Sequence, residues 1–215
     1  VFVAILALVV NVLIHIQNDI NFKKQIEQSK ENFVNTKKLL VKNEVDKVFE
    51  NIVLQREDIE NKLKDNIKTK VYTAYEIVEN LYENYKHLGD KKALKIIKDA
   101  LRNIRFNEGR GYYFIDGVSG VKHLQPINPK IEGGNYLEYR DSKGYQFVKT
   151  ISNTIKNRTE RFDEYYWPKP GDPTKSFKKI SFYKTFAPLD IAIGAGEYLD
   201  DFTKNLQELL LYDYI

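Results

Sequence analysis

Residues 161–171 read Arg-Phe-Asp-Glu-Tyr-Tyr-Trp-Pro-Lys-Pro-Gly, and this stretch decides how the second half of the chain folds. Its first seven residues alternate as a strand does, with Phe162, Glu164 and Tyr166 on one face and Asp163, Tyr165 and Trp167 on the other. Pro168 and Pro170 lack a backbone donor and are expected to stop the ladder, and Gly171, Asp172 and Pro173 supply turn chemistry. Trp167 is the single tryptophan of the chain and stands between Tyr165 and Lys169. Aromatic bodies with polar tips beside a cation suit a pocket for a small anionic or amphipathic ligand; the alternative is a strand whose aromatics fill a core.

Period 2 extends to both sides of this stretch. Upstream, residues 112–116 and 121–125 read as strands joined by a hairpin turn at Gly117, Ser119 and Gly120. Pro126, Pro129, Gly133 and Gly134 then mark an irregular loop, and residues 147–155 return to helical spacing. Downstream, residues 177–186 read as a strand with Ile180, Phe182 and Phe186 on one face and Ser181 and Tyr183 on the other. A turn at Pro188-Leu189-Asp190 leads to a fifth strand, residues 191–198, where Gly194 and Gly196 permit close backbone approach. Residues 199–215 are again helical in spacing.

The first half of the chain is different. Residues 1–16 are apolar on all sides, unlike a surface helix, yet fall short of the ~20 residues that span a bilayer. They are expected to form the outer part of a transmembrane helix whose beginning is cut away. Residues 17–88 form a long helical segment. From Val41 onward, Val45, Val48, Ile52, Ile59, Leu63, Ile67, Val71, Ala74 and Val78 recur in threes, fours and sevens, and no Gly or Pro interrupts before Gly89. A helix of roughly 45 residues spans about 70 Å. Its second, partly apolar face (Phe49, Leu54, Ile77) suits a partner helix, which predicts a homodimer. A short amphipathic helix over residues 91–106 follows, with Leu94, Ile97, Leu101 and Ile104 aligned. The expected class is therefore α+β: a long N-terminal helix packed on a five-stranded antiparallel sheet, with a loop-helix insertion and a C-terminal exit helix.

Composition narrows the function. The 34 basic and 30 acidic residues are interspersed, with a net charge of +4 and no basic stripe, which argues against nucleic acid. The chain has no cysteine, so thiol catalysis and cysteine-rich zinc sites are excluded. His15, His87 and His123 are far apart, and no nucleophile–base pair, metal cluster or phosphate loop appears. The sequence reads as a binding domain, not an enzyme, with no cofactor.

Several phrases occur together in a distinctive order: Gly111-Tyr112-Tyr113-Phe114-Ile115-Asp116, Pro126-Ile127-Asn128-Pro129, Gly133-Gly134-Asn135, Asp141-Ser142-Lys143-Gly144, Tyr165-Tyr166-Trp167-Pro168, and Gly194-Ala195-Gly196-Glu197-Tyr198. The set resembles the single Cache (sCache-type) domains of bacterial chemoreceptors and sensor kinases, over about residues 37–201. The resemblance implies a PAS-like sheet, a dimer formed through the long helix, and an extracytoplasmic domain in residues 89–201 anchored in the cell membrane. It also implies a pocket between sheet and loop-helix segment that takes small molecules, often short carboxylates. The family pattern usually has His-Pro where this chain has Gln125-Pro126, and Tyr where it has Phe182 beside Tyr183. Residues 202–215 are expected to be an exit helix or the start of a second module.

The candidate ligand-binding residues are Tyr113, Gln125, Asn135, Tyr165, Trp167, Lys179 and Tyr183. Tyr165 and Trp167 share a strand face. Lys179 is the cation to set against a carboxylate, or else a solvated lysine beside Lys175 and Lys178. Tyr183 donates a hydroxyl or packs; Tyr113 and Gln125 close the other side from the first hairpin; Asn135 folds the loop back or serves a turn. Tyr112 and Phe114 read as core. Two alternatives stay open. In one, Tyr165, Trp167 and Tyr183 cage an amine or amino acid with Asp163 as counter-ion. In the other, the domain is a protein-interaction module.

Overall fold

The computed structural model describes residues 2–201. A single helix, α1 (Phe2–Tyr85), opens the chain, and the chain divides within it into two compact units, one ending at Glu60 and one starting at Asn61. Residues 2–58, in the first unit, are all exposed. Near the N-terminus this helix is long and apolar enough to cross a membrane. It runs without a break through residues 16 and 17, because nothing in that sequence opposes helical geometry.

In the second unit, the last turns of α1 bury Ile67, Val71, Ala74 and Val78, a stripe spaced by four, three and four. A 3-10 turn, Lys86–Leu88, and Gly89 at φ 88° end the run, since a left-handed residue cannot continue the helix. Helix α2 (Asp90–Arg102) buries Ala93, Ile97 and Leu101. It stops four residues before the expected end at 106. Phe106 instead bridges to Gly111 across a tight loop in which Asn107 and Glu108 both take positive φ.

The sheet contains β1 (Tyr113–Gly117), β2 (Lys122–Leu124), β3 (Glu160–Lys169), β4 (Asp172–Phe186) and β5 (Ile191–Tyr198). Their spatial order is β2-β1-β5-β4-β3, and every pair is antiparallel. Helix α3 (Phe147–Lys156) sits in the connection between β2 and β3. The α+β class and the five antiparallel strands agree with the sequence reading, and the fifth strand has the expected bounds. Pro168 and the start of β4 differ from expectation. Strand β3 continues through Pro168, which pairs with Ser176, and β4 starts at Asp172 rather than 177. The reason is position: β3 is a sheet edge, where a missing N–H is tolerated, and the ladder shifts register between Pro168 and Lys169. The expected exit helix over 202–215 lies outside the described residues.

Alternate residues of each strand enter two separate cores. One face of the sheet presents Ile115, Ile180, Phe182, Phe186, Ile191 and Ile193 to the buried stripes of α1 and α2. The rings of Tyr75 and Tyr82 meet Phe186 edge-on at 5.6 and 5.4 Å. The other face holds Tyr112, Phe114, Tyr165, Trp167 and Tyr183 under Phe147, Val148, Ile151 and Ile155 of α3.

Candidate ligand-binding site

The α3 side of the sheet is where polar groups gather inside the protein. Strand β5 makes room for them with small residues. A Cβ on Gly194 would strike the Phe114 ring, and one on Gly196 would meet Ser181 Oγ and sit 2.8 Å from Lys179 Cε. These two glycines let the side chains of β1 and β4 lie flat over β5.

Lys179, on β4, is 1% exposed. Its ammonium donates to the Tyr112 hydroxyl at 2.9 Å and lies 4.1 Å from the Tyr112 ring centroid, 5.3 Å from Tyr198 and 5.5 Å from Phe114. It makes no ion pair among the described residues. Burial holds its pKa down from the ordinary 10.5 to about 7; Glu197 pulls the other way, and Lys122 adds to the depression. Lys122, on β2, is also buried. It pairs with Asp116 of β1 at 2.7 Å, and its ammonium lies over Phe147 and Trp167 at 5.1 and 5.5 Å. Two buried cations therefore share this face with one ion-paired carboxylate.

Hydroxyls line the floor. Tyr165 and Ser181 are hydrogen-bonded at 3.0 Å, and the Tyr112 and Tyr198 hydroxyls approach at 3.4 Å. The Tyr198 hydroxyl donates to the carbonyl of Pro168. Burial pushes the pKa of Tyr112, Tyr165 and Tyr198 up, so all three remain protonated donors at neutral pH. Among the described residues, Asp116 Oδ1 and Gln125 Oε1 are buried side-chain oxygens without a hydrogen-bond partner, and Trp167 Nε1 is a buried donor whose nearest acceptor is the Tyr112 hydroxyl, outside good hydrogen-bond geometry. Such atoms cost stability unless something pairs with them, and Asp116 and Trp167 both flank Lys122 in this cluster.

The far end of the face is closed by Asp163. Its carboxylate accepts from the Tyr145 hydroxyl at 2.9 Å, from the Tyr183 hydroxyl at 3.2 Å and from the Glu164 N–H at 3.0 Å. Burial still raises its pKa, outweighing those bonds. The covering segment is fixed at both ends. Arg102 of α2 grips Glu132 with two bonds of 2.9 and 2.7 Å, and Glu132 also accepts from the Gln125 N–H at 2.8 Å. Asp141 accepts from the N–H groups of Lys143, Tyr145 and Tyr166. Over the sheet, Phe147 stacks on Tyr165 at 4.0 Å with ring planes 5° apart.

Of the residues expected from the sequence, the fold brings Tyr165, Trp167 and Lys179 to this cluster and places Tyr183 at its Asp163 end. Gln125 is buried just past β2, where its N–H is held by Glu132. It does not bring Tyr113 there. That side chain points to the α1 side, where its hydroxyl donates to the Lys70 carbonyl at 3.1 Å and its ring meets Phe106 at 5.3 Å. Its neighbour Tyr112, read as core, supplies the hydroxyl that Lys179 uses. Strand β1 is buried on both faces, so alternation alone could not tell the two tyrosines apart. Asn135 is a turn residue: its amide donates to the Ser119 carbonyl and accepts from the Leu137 N–H, both at 2.9 Å. Lys122, Asp116, Ser181 and Tyr198 were missed. A cue for the first two existed, because Asp116 and Lys122 flank the hairpin turn with opposite charges. Among the described residues, no group of three or more His, Asp or Glu side chains is placed to hold a metal ion.

The sheet thus carries a long helix on one face and a roofed, polar, buried cluster on the other. The model of the Cache domain family matches residues 18–213, most of the chain, and the protein belongs to that family. Among solved structures, it is similar to a periplasmic sensor domain of a chemotaxis protein, with 27% identity, a TM-score of 0.57, and coverage of 62% of this chain and 93% of that one. It also shares its fold with a Cache chemosensory domain described for carboxylic acid recognition (24% identity, TM-score 0.60, 66% and 97% covered). A methyl-accepting chemotaxis protein from Vibrio parahaemolyticus is a further match in fold (22% identity, TM-score 0.60, 69% and 97% covered). The chain is thus a Cache sensor domain of the kind found in chemotaxis receptors.

Proposed function

We propose that this chain is the extracytoplasmic sensing part of a membrane receptor and that its ligand is a short organic acid held by Lys179. The observation that carries the reading is the ammonium of Lys179: buried, bonded only to a tyrosine hydroxyl, and without an ion-pair partner among the described residues. A bound carboxylate restores the charge balance that burial has disturbed, and a charge-assisted bond is the strong kind. Trp167 Nε1, a buried donor close to the Tyr112 hydroxyl that Lys179 uses, is a candidate second contact for the anion. The fold neighbour described for carboxylic acid recognition is a precedent for the chemistry, not for the residues.

The rest of the receptor reading rests on the helix. The apolar start of α1 anchors the chain in the membrane, and its exposed apolar positions beyond it, such as Val41, Val45 and Val48, meet a second copy. Within the second unit, the sheet has ligand on one face and the α1 residues Ile67, Val71, Ala74 and Val78 on the other. A shift of β4 or β5 on ligand binding therefore reaches α1 directly through shared strands, as an ångström-scale displacement.

Calorimetric titration of the chain in detergent with acetate, propionate, pyruvate and lactate tests this. Saturable binding of at least one acid is expected, weakened roughly 10- to 100-fold in Lys179→Met. Because Lys179 must be protonated to hold an anion, affinity is expected to fall as pH rises above about 7. Binding of amines instead, lost in Asp163→Asn, would replace the carboxylate by the aromatic-cage reading.

A further inference from the structure

Strand β5 turns its side chains alternately to the two sides of the sheet. Gly194 and Gly196 face Phe114 and Lys179, whereas Ile193 and Ala195 enter the core under α1, and Glu197 continues that second row. Beside Glu197 lies a cavity of about 300 Å³. Leu63 of α1 borders it on one side, and Asn107, Glu108 and Arg110 of the loop before β1 on another; Tyr198 and Asp201, at and just past the end of β5, complete the wall.

The charges around this cavity are paired except at one residue. Asp201 is held by Lys169 at 2.7 Å, and Arg110 pairs with Glu108 at 3.6 Å. Glu197 is 7% exposed, and among the described residues its carboxylate has no ion pair; the one hydrogen bond it accepts comes from the Asn107 side-chain amide. The loop that carries this amide holds both Asn107 and Glu108 at positive φ, which is uncommon for residues other than glycine. Burial raises the pKa of Glu197, outweighing the Asn107 bond and the pull of Lys179, Arg110 and Lys70. A buried carboxylate short of a counter-ion is costly, and a cation in the adjoining space offsets that cost. Among the described residues, no three acidic or histidine side chains are placed to hold a metal ion, so the cation expected there is an organic one.

We infer that this cavity is a second binding site, for a small primary ammonium compound whose ammonium pairs with Glu197 and whose short apolar body rests on Leu63. A primary ammonium is specified because its N–H donors make charge-assisted bonds to a carboxylate, which a quaternary ammonium cannot. The inference stands apart from the carboxylate reading, since Glu197 points away from the face that holds Lys179. Because Leu63 belongs to α1, an occupant touches that helix directly.

Calorimetric titration of the full chain in detergent with butylammonium chloride tests this. Saturable binding is expected, weakened at least about 10-fold in Glu197→Gln, which keeps the shape and the Asn107 bond but removes the charge. Asp163→Asn is expected to leave it unchanged, which separates this site from an aromatic cage on the α3 side. Amide NMR on the wild-type chain locates the site without any substitution: the resonances of Asn107, Arg110 and Glu197 are expected to move on addition of butylammonium, and those of Tyr145 and Asp163 to stay. Tetramethylammonium, a cation without N–H donors, is expected to bind at least about 10-fold more weakly. Absence of saturable butylammonium binding, binding that survives Glu197→Gln, or shifts confined to the Asp163 end would each overturn the inference, whatever the chain does with acids.

Discussion

The two faces of the sheet are made by the same strands and differ in nearly every physical property. Toward α1 and α2, β4 presents Ile180, Phe182 and Phe186; toward α3 it presents Lys179, Ser181 and Tyr183. The first face is apolar and packed by rings and branched chains. The second is just as buried but holds two cations, two carboxylates and four tyrosine hydroxyls. Burial of apolar area stabilises a fold, whereas burial of charge costs stability unless each group finds a partner. The contrast therefore separates the face that holds the domain together from the face to which the proposed function assigns the ligand.

The largest effect is expected on the apolar face. Phe182→Ala, which removes a ring packed on Phe162 at 4.7 Å, is expected to cost about 3–5 kcal/mol in urea unfolding. The fraction that stays folded should bind ligand as before. Loss of ligand binding without loss of stability would break the division between faces. On the polar face, Lys122→Met leaves Asp116 buried without its counter-ion. It is expected to cost about 3 kcal/mol, as for a broken buried pair. The double variant Asp116→Leu with Lys122→Met should recover most of that loss. A double variant no more stable than the single one would mean that the pair itself, not the orphaned charge, is what matters.

Lys179 gives a signature in pH. Its folded pKa of about 7 lies below the ordinary 10.5 of the unfolded chain. Between those values the unfolded state binds the extra proton, so stability rises with pH. The slope is expected to reach up to about 1.4 kcal/mol per pH unit between pH 7 and 9, and to vanish in Lys179→Met. The buried tyrosines do not interfere there, because their folded pKa values lie above the usual 10. The smallest effect is expected at the covering segment. Glu132→Ala releases the Arg102 grip on a partly exposed pair and should cost about 1 kcal/mol, while speeding ligand exchange in stopped-flow measurements. An unchanged exchange rate would remove the segment from the account of ligand entry.

The sequence reveals much of this architecture, but unevenly. Alternation located Asp163, Tyr165 and Trp167 on one face because β3 is a sheet edge with an exposed side. It failed at Tyr112 and Tyr113, where both faces are buried and both residues are the same type. Proline misled at 168, since its cost depends on whether the strand has an outer neighbour. Lys179 was identifiable as a cation, but not as a buried one. That fact depends on Gly196 lying across the sheet from Ser181 and leaving space beneath the lysine stem. Lys122 and Asp116 stayed hidden because charged residues in strands usually face water, and only the tertiary roof of Phe147 and Trp167 changes that.

The central claim is that Lys179 is kept buried for an anion and not for the fold. Thermal unfolding and lactate titration of Lys179→Met beside the wild-type chain test it most directly. The account predicts that the variant melts at a higher temperature without ligand, since an unpaired buried ammonium has been replaced by an apolar chain of similar size, and that it loses the ligand-induced rise in melting temperature. A variant that melts lower and still binds as the wild type does would contradict the account.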